Sequence, residues 1–550
     1  MRESFVTVLL AMLVSLAACA ASQKGALYQA QTAYQEADYE TCLKKLSFAD
    51  GYGEYSEPVT ADIAFYRGLC LEGLGRKQEA LAVYQYLIRK HPNSSAAAQA
   101  HGRVGNSSEK VESRTTPASY SSLSPVAPSA LLLKVHVDSR YTPLPGSQNV
   151  PKDSAYDAAV TLDKRYLTVD TDEYVQIFDF EKRRRFSVDK KTGTYVEFSL
   201  YDHIGFRSIE FINRMAMHQA MTKANLDGKL PGREDNEHIL SVQARPPLVM
   251  SVDRDGDDTL FSIAGKPLFR HSLKGMPVGV EDSTAFAQFL RYTFGGHPII
   301  LDDLAKGKLI PLTATFTFRN LSVNTVKITV TEAERIQEVS YNLQPYRPWT
   351  QSQSQDALDA VLFQASTISP SRLEEGKRAV LSERAAALHE GRLLDAMLGT
   401  MEFQLMTGEQ PPTFSSSDGA KTQSDASVRR LLQALAPGTK DNLQEAVKTF
   451  RVLKEQTRSK QHVLTVFEAN NRAKLGDPVK AKALLIEVLQ SQPLLVGAYK
   501  DLGDILLTGY DAPRAWRAWD IGRRIAPKFP TFSAVTEFEQ KLVTEHPEYF

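Results

Sequence analysis

Residues 493–527 read PLLVGAYKDLGDILLTGYDAPRAWRAWDIGRRIAP. Pro493 and Pro527 stand 34 residues apart, and each closes a stretch of similar texture. Between them Tyr499, Leu502, Gly503, Ala515 and Trp519 fall where two antiparallel helices would meet. Gly503 and Ala515 let the helices approach closely, and the large residues fill the gaps between them. Pro527 stops the second helix, because a ring without an N–H cannot continue it. One stretch upstream, Ala469, Gly476, Ala481, Leu485 and Pro493 keep the same frame.

This spacing resembles the tetratricopeptide repeat. The amino-terminal region shows it again: Gly68, Leu71, Gly75, Ala80, Tyr84 and Pro92 keep the frame from Ile63 to Pro92, and a looser copy runs from Ala26 to Leu46. A longer loop, from Asp50 to Pro58, separates them. A third helical stretch spans Ser371 to Gly408, with Ser371 and Glu374 as a capping box and Leu381, Ala385, Leu388 and Leu393 as an apolar stripe. Asn442 to Gln456 adds an amphipathic helix. Such repeats bury their faces only against neighbours. The resemblance implies a groove for a protein partner, lined by Val466, Asn470 and Lys474 in one repeat and Lys500, Asp504 and Thr508 in the next. It also packs the helix carrying Cys42 against the helix carrying Cys70. In an oxidising compartment these are either a disulfide or two buried thiols.

The amino terminus sets the compartment. After Arg2 comes an apolar run from Phe5 to Leu16, twelve residues long. A bilayer needs about 20, so the run suits a signal-peptide core and not a span. It ends in Leu16-Ala17-Ala18-Cys19, which is similar to the lipobox of bacterial lipoproteins. The resemblance implies cleavage before Cys19, acylation of that thiol and a membrane anchor. Ala20, not Asp, follows it, which in Gram-negative cells directs sorting to the outer membrane.

The middle of the chain changes texture. Val104 to Ser129 is dense in Ser, Thr and Pro. Beyond it, strand-like segments at Leu131–Val137, Tyr174–Phe180, Arg184–Val188, Tyr195–Leu200, Ile239–Val242, Leu248–Val252, Leu260–Ile263, Leu312–Arg319 and Val326–Thr331 are rich in β-branched and aromatic residues. Helices are expected near Phe206–Leu226 and Ser283–Phe294. One large curved antiparallel sheet with helices on one side follows. Ile177 to Tyr195 resembles the strands of the LolA-like half-barrel of lipoprotein carriers, which implies an acyl or apolar ligand in the β domain. Alternatively, Phe178, Phe180, Phe186, Tyr195 and Phe198 pack its core.

The expected class is therefore α+β and multidomain. Its order is signal peptide 1–18, helical repeats 19–103, linker 104–129, β-rich domain 130–350, helical segment 351–407, linker 408–428 and terminal repeats 429–550. Lys plus Arg and Asp plus Glu number 65 each, so charge offers no case for nucleic acid. Three cysteines exclude a cysteine-rich metal cluster. Asp253, Asp255 and Asp257 alternate as calcium ligands do, but Asp258 and Ala264 occupy the glycine and glutamate positions of such a loop, so a hairpin turn is the better reading. The histidines lack metal-ligand spacing, and no nucleophile elbow, phosphate loop or dinucleotide fingerprint occurs. The expectation is an outer-membrane lipoprotein without catalytic residues, metal or cofactor, acting as a scaffold for a cell-envelope assembly. The alternative is a carrier of lipid or lipidated protein.

Overall fold

The computed structural model describes most of residues 27–104, and residues 129–143, 151–223, 231–320, 322–337, 340–349, 356–436 and 439–550. Cys19, the segment 1–18 and nearly all of the linker 104–129 lie outside the described residues. The class is α+β, in two compact units. One gathers the described residues of Met1–Ser119 with those of Ser354–Lys541 and is helical; the other gathers those of Tyr120–Gln353 with Leu542–Phe550 and holds the main sheet.

The amino-terminal run of the helical unit contains α1 (Tyr39–Asp50), α2 (Glu57–Gly73) and α3 (Lys77–Lys90). Gly68 lies under the Tyr84 ring, where a Cβ would collide with it, so glycine sets the spacing of α2 and α3. Cys42 on α1 and Cys70 on α2 are joined as a disulfide, both side chains fully buried.

The β-rich unit begins with a meander: β1 (Ser129–Pro143), β2 (Ser154–Leu162), β3 (Tyr166–Asp170), β4 (Tyr174–Asp179), β5 (Arg184–Asp189) and β6 (Thr194–Ser199). Between β5 and β6, Gly193 takes φ +65° and the Asp189 carboxylate accepts from the Lys191 and Thr192 amides at 2.8 and 3.2 Å. Helices α4 (Tyr201–Lys223) and α5 (Arg233–Leu240) precede β7 (Ser251–Asp255), β8 (Asp258–Ile263), β9 (Lys266–Ser272) and β10 (Gly275–Pro277). Then come α6 (Val280–Thr293), α7 (Pro298–Lys306), β11 (Leu309–Pro311), β12 (Thr313–Arg319), β13 (Ser322–Gln337) and β14 (Arg347–Pro348). Twelve strands form one sheet in the order β14-β6-β5-β4-β3-β2-β1-β13-β12-β9-β8-β7, and β10 pairs with β11 alone. The long β1–β13 ladder runs from Ser129 opposite Gln337 to Pro143 opposite Ser322.

Three differences from the sequence expectation have local causes. Ile239–Val242 is not a strand: α5 continues to Leu240, favoured by Glu234 and Asp235 in its first turn, and Ser241 leaves it at φ +52°. β2 and β3 were missed because Ser154–Leu162 is alanine-rich and β3 is only five residues long; their neighbours on both sides hold them in the sheet. Leu248–Val252 contributes only its last two residues to β7.

The carboxy-terminal run contains α8 (Ala357–Ser366), α9 (Pro370–His389), α10 (Leu393–Thr407), α11 (Ser416–Ser424), α12 (Ala426–Leu435), α13 (Lys440–Gln456), α14 (Gln461–Lys474), α15 (Pro478–Ser491), α16 (Val496–Thr508), α17 (Ala512–Ile525) and α18 (Ser533–Glu545). The stretch 408–428 is not an open linker. Its Ser415 and Asp425 cap α11 and α12, and Thr422 and Val428 are buried. The capping box expected at Ser371 is not formed: Ser369 is the N-cap and makes no side-chain cap bond, Pro370 opens α9, and Glu374 pairs with Lys377 at 3.0 Å. The buried side of α9 is Leu373, Val380, Arg384 and Ala387, while Ala385 is exposed.

One turn recurs through the helical unit. Ala37, Gly75, Gly391, Gly476 and Tyr510 all take left-handed φ, at 59°, 74°, 72°, 84° and 64°. In each, the next residue's amide bonds a carbonyl five residues back: Asp38 to Ala33, Arg76 to Leu71, Arg392 to Ala387, Asp477 to Arg472 and Asp511 to Leu506, at 2.8–2.9 Å. Gly503 lies against the Trp519 indole as Gly68 lies against Tyr84.

Candidate functional site

The face expected to bind a partner is carried by α14 and α16. Asn470 of α14 donates from Nδ2 to Asp501 Oδ2 of α16 at 2.8 Å, tying the two helices together. Burial pushes the Asp501 carboxyl from 3.8 up to about 6, and the Asn470 hydrogen bond opposes that shift. Beside it, Lys500 Nζ reaches both Asp504 oxygens, at 2.7 and 2.6 Å. Thr508 and Lys474 are exposed at the carboxy-terminal ends of the two helices, and the Thr508 hydroxyl donates to the Asp504 carbonyl at 3.1 Å.

Val466 does not line this face, because its side chain is fully enclosed. The amino-terminal halves of both helices are occupied by the chain's own α10. Val463 and Leu464 share a core with Leu394 and Leu398, and a Cβ at Gly497 would sit 3.1 Å from Leu405. The accessible polar strip therefore starts at Asn470 and runs through Lys474, Asp504 and Thr508.

At the amino-terminal end of α14 lies a charged cluster that sequence reasoning missed. Glu402 of α10 receives Lys460 Nζ at 2.6 Å and faces His462 Nε2 at 2.7 Å; Lys460 also reaches Glu383 of α9 at 2.5 Å. Burial works against the Glu402 charge, yet His462 and Lys460 hold its carboxyl below the ordinary value. Burial likewise pulls Lys460 down, and its two carboxylates more than reverse this. Asp395 completes the cluster, accepting from the Thr457 hydroxyl and from the Arg458 amide at 3.2 Å. Lysine and glutamate, ordinarily solvated, left no periodic mark in the sequence that would separate this cluster from a helix surface.

Of the β-rich unit's aromatics given above as the core-packing alternative, Phe178 and Phe186 are buried, and Phe180, Tyr195 and Phe198 are half-buried. Phe178 is buried against Tyr292, with centroids 4.7 Å apart, and Phe186 packs against Tyr195 and Tyr341 at 6.1 and 5.8 Å. The Arg185 guanidinium lies 4.3 Å over the Phe198 ring. Glu237, His238 and His297 are fully enclosed: His297 Nε2 faces Glu237 Oε2 at 2.9 Å, and the His297 amide donates to His238 Nδ1 at 2.9 Å. Burial pulls His238 down to about 3, so it is neutral and serves as an acceptor. This enclosed trio braces α5 against the start of α7.

Asp253, Asp255 and Asp257 lie on the β7–β8 hairpin, whose turn places Gly256 at φ +63°. Asp255 pairs with Arg270 at 2.6 Å and Asp257 with Lys274 at 2.5 Å, so two of the three carboxylates are already neutralised by cations. Among the described residues no group of three or more His, Cys, Asp or Glu is placed to hold a metal ion, and no helix is long and apolar enough to cross a membrane. Compared with known proteins, the chain matches no family model and no curated relative.

Proposed function

We propose that this chain is a lipid-anchored adaptor of the bacterial outer membrane, which binds protein partners through tetratricopeptide-type hairpins and performs no catalysis. In this reading Cys19 carries the anchor, the hairpins flank a curved, LolA-like sheet, and the polar strip of α14 and α16 is the partner site. The observation that carries the proposal is the recurrent left-handed turn with its five-residue closing bond, at Ala37, Gly75, Gly391, Gly476 and Tyr510. A chain that builds the same hairpin repeatedly presents similar helix faces side by side, the arrangement that groove-type protein recognition uses. Support for placing binding on the helices, and not a lipid on the sheet, comes from the covering of Phe178 and Phe186 by protein side chains.

Photo-crosslinking in cells that make the protein tests this, with probes at Lys474, Asp504 and Thr508 and a control at enclosed Val466. A discrete protein adduct at the three strip positions, abolished by Asp504→Lys, is the expected result. Silence at all three would overturn the partner site. Incorporation of a clickable palmitate that disappears in Cys19→Ser tests the anchor separately.

A further inference from the structure

The chain's last residues are held by the β-rich unit in a way that ordinary core packing does not require. Residues 542–550 belong to that unit, and Tyr549 is fully enclosed among α4, α6 and the end of α5. Two consecutive backbone carbonyls are read by side chains of α6. The Glu548 carbonyl accepts from Gln288 Nε2 at 2.6 Å and Arg291 Nη1 at 2.8 Å, and the Tyr549 carbonyl accepts from Tyr292 Oη at 2.6 Å.

The Tyr549 side chain fills a socket of its own. Its phenol accepts from Arg207 Nη1 at 3.0 Å and donates to the Ser241 carbonyl at 3.1 Å. Its ring meets Tyr292 edge-on at 5.6 Å, with the Arg291 guanidinium 5.5 Å away. Phe550 follows, 5.1 Å from the Tyr201 ring and beneath the Arg183 guanidinium at 5.7 Å. Main-chain bonds that supply affinity, next to side-chain sockets that supply sequence preference, are the means by which proteins recognise peptides. A buried tyrosine whose hydroxyl is satisfied on both sides also discriminates against phenylalanine or alanine.

We propose that the β-rich unit is a receptor for a Pro-Glu-Tyr-Phe segment, occupied in cis by residues 547–550 of the same chain. The occupant it selects is a peptide segment in which a tyrosine is followed directly by an aromatic residue. While tethered, the tail acts at a high effective concentration and excludes competing peptides. Once removed, the site takes the same segment in trans.

The test uses two proteins: the chain ending at His546, and the full chain with a specific protease site inserted between His546 and Pro547, folded intact and then cut. The probe is Pro-Glu-Tyr-Phe with fluorescein at its amino end, read by anisotropy. Saturable binding is expected to the shortened or the cut and dialysed chain, and at least tenfold weaker binding to the intact one. The same loss is expected for a probe with Tyr549→Ala and for a Tyr292→Phe receptor. If the shortened chain keeps its circular dichroism spectrum yet binds the probe no better than a scrambled peptide, the proposal fails. If the shortened chain does not fold, the cut chain decides: retention of its tetrapeptide, or exchange for the probe, supports the proposal. Loss of the tetrapeptide without uptake of the probe overturns it.

Discussion

In the helical unit each recurrent hairpin is closed by an amide and a carbonyl five residues apart, whereas the β-rich unit joins its two halves by pairing Ser129 with Gln337. The first kind of contact costs little loop entropy and can form before anything else is in place; the second requires the chain between to be largely organised. The two units also bury charge differently. The helices enclose full ion pairs, as at Glu402 and Lys460, while the sheet's helices enclose neutral His238 beside the Glu237–His297 pair. A hairpin can thus be altered almost alone, but a core residue of the sheet answers to strands from both ends of the sequence.

The sharpest test of that contrast is Phe316→Ala. Phe316 is fully enclosed, 4.7 Å from Phe269 and 5.5 Å from Phe318, so the loss is about 3–5 kcal/mol by urea denaturation. Hydrogen exchange should show lost protection across β9, β12, β13 and β1; a loss confined to Thr313–Arg319 would break the comparison. Lys460→Met comes next, costing about 3 kcal/mol because Glu402 keeps its burial and loses a cation. Combining it with Glu402→Gln should recover part of that loss in a double-mutant cycle. Replacing both Cys42 and Cys70 by Ser removes a link between residues 28 apart, worth about 3 kcal/mol, and limited proteolysis should find new cuts within α1 to α3. Gly476→Ala is milder: nothing lies within 4 Å of the new Cβ, so only the left-handed φ of +84° opposes it, at about 1 kcal/mol. Its effect on exchange should stay within α14 and α15.

The smallest effect is a pH slope. Asp501 titrates at about 6 in the folded chain against 3.8 ordinarily, so between those values the folded state holds a proton that the unfolded state has released. Its stabilising contribution is full below pH 3.8 and is lost as pH rises to about 6. The wild type should therefore gain stability relative to Asp501→Asn as pH falls from about 6 to about 4, measured as the difference in denaturation midpoint. Equal slopes for the two proteins would remove the buried character assigned to Asp501.

Hairpins were legible where glycine or a proline punctuated the chain. Gly75 and Gly476 stand at the turns, and Gly68 and Gly503 stand under aromatic rings, but Gly391 splits into α9 and α10 the single helical stretch expected from Ser371 to Gly408. Tyr510 and Ala37 make the same turn without that signal. Repeat position put Asn470, Lys474, Asp504 and Thr508 on accessible helix faces, as they are, but the enclosure of Val466 was not readable, since it depends on neighbouring helices. The stretch 408–428 was misread because the Ser and Asp residues that suggest a loop are also helix caps.

From its sequence alone this protein's α+β class, several of its helix pairs and about half of its strand positions followed, because periodicity, turn residues and helix stops act within a few residues of where they stand. Tertiary structure decided the rest: that β1 lies beside β13, that α10 covers the near ends of α14 and α16, that Glu402 is paired in the interior, and that Tyr549 closes a socket between α4 and α6. Each of these joins groups dozens to hundreds of residues apart, and the free energy of such a contact comes from desolvation and complementarity that exist only once both partners are in place.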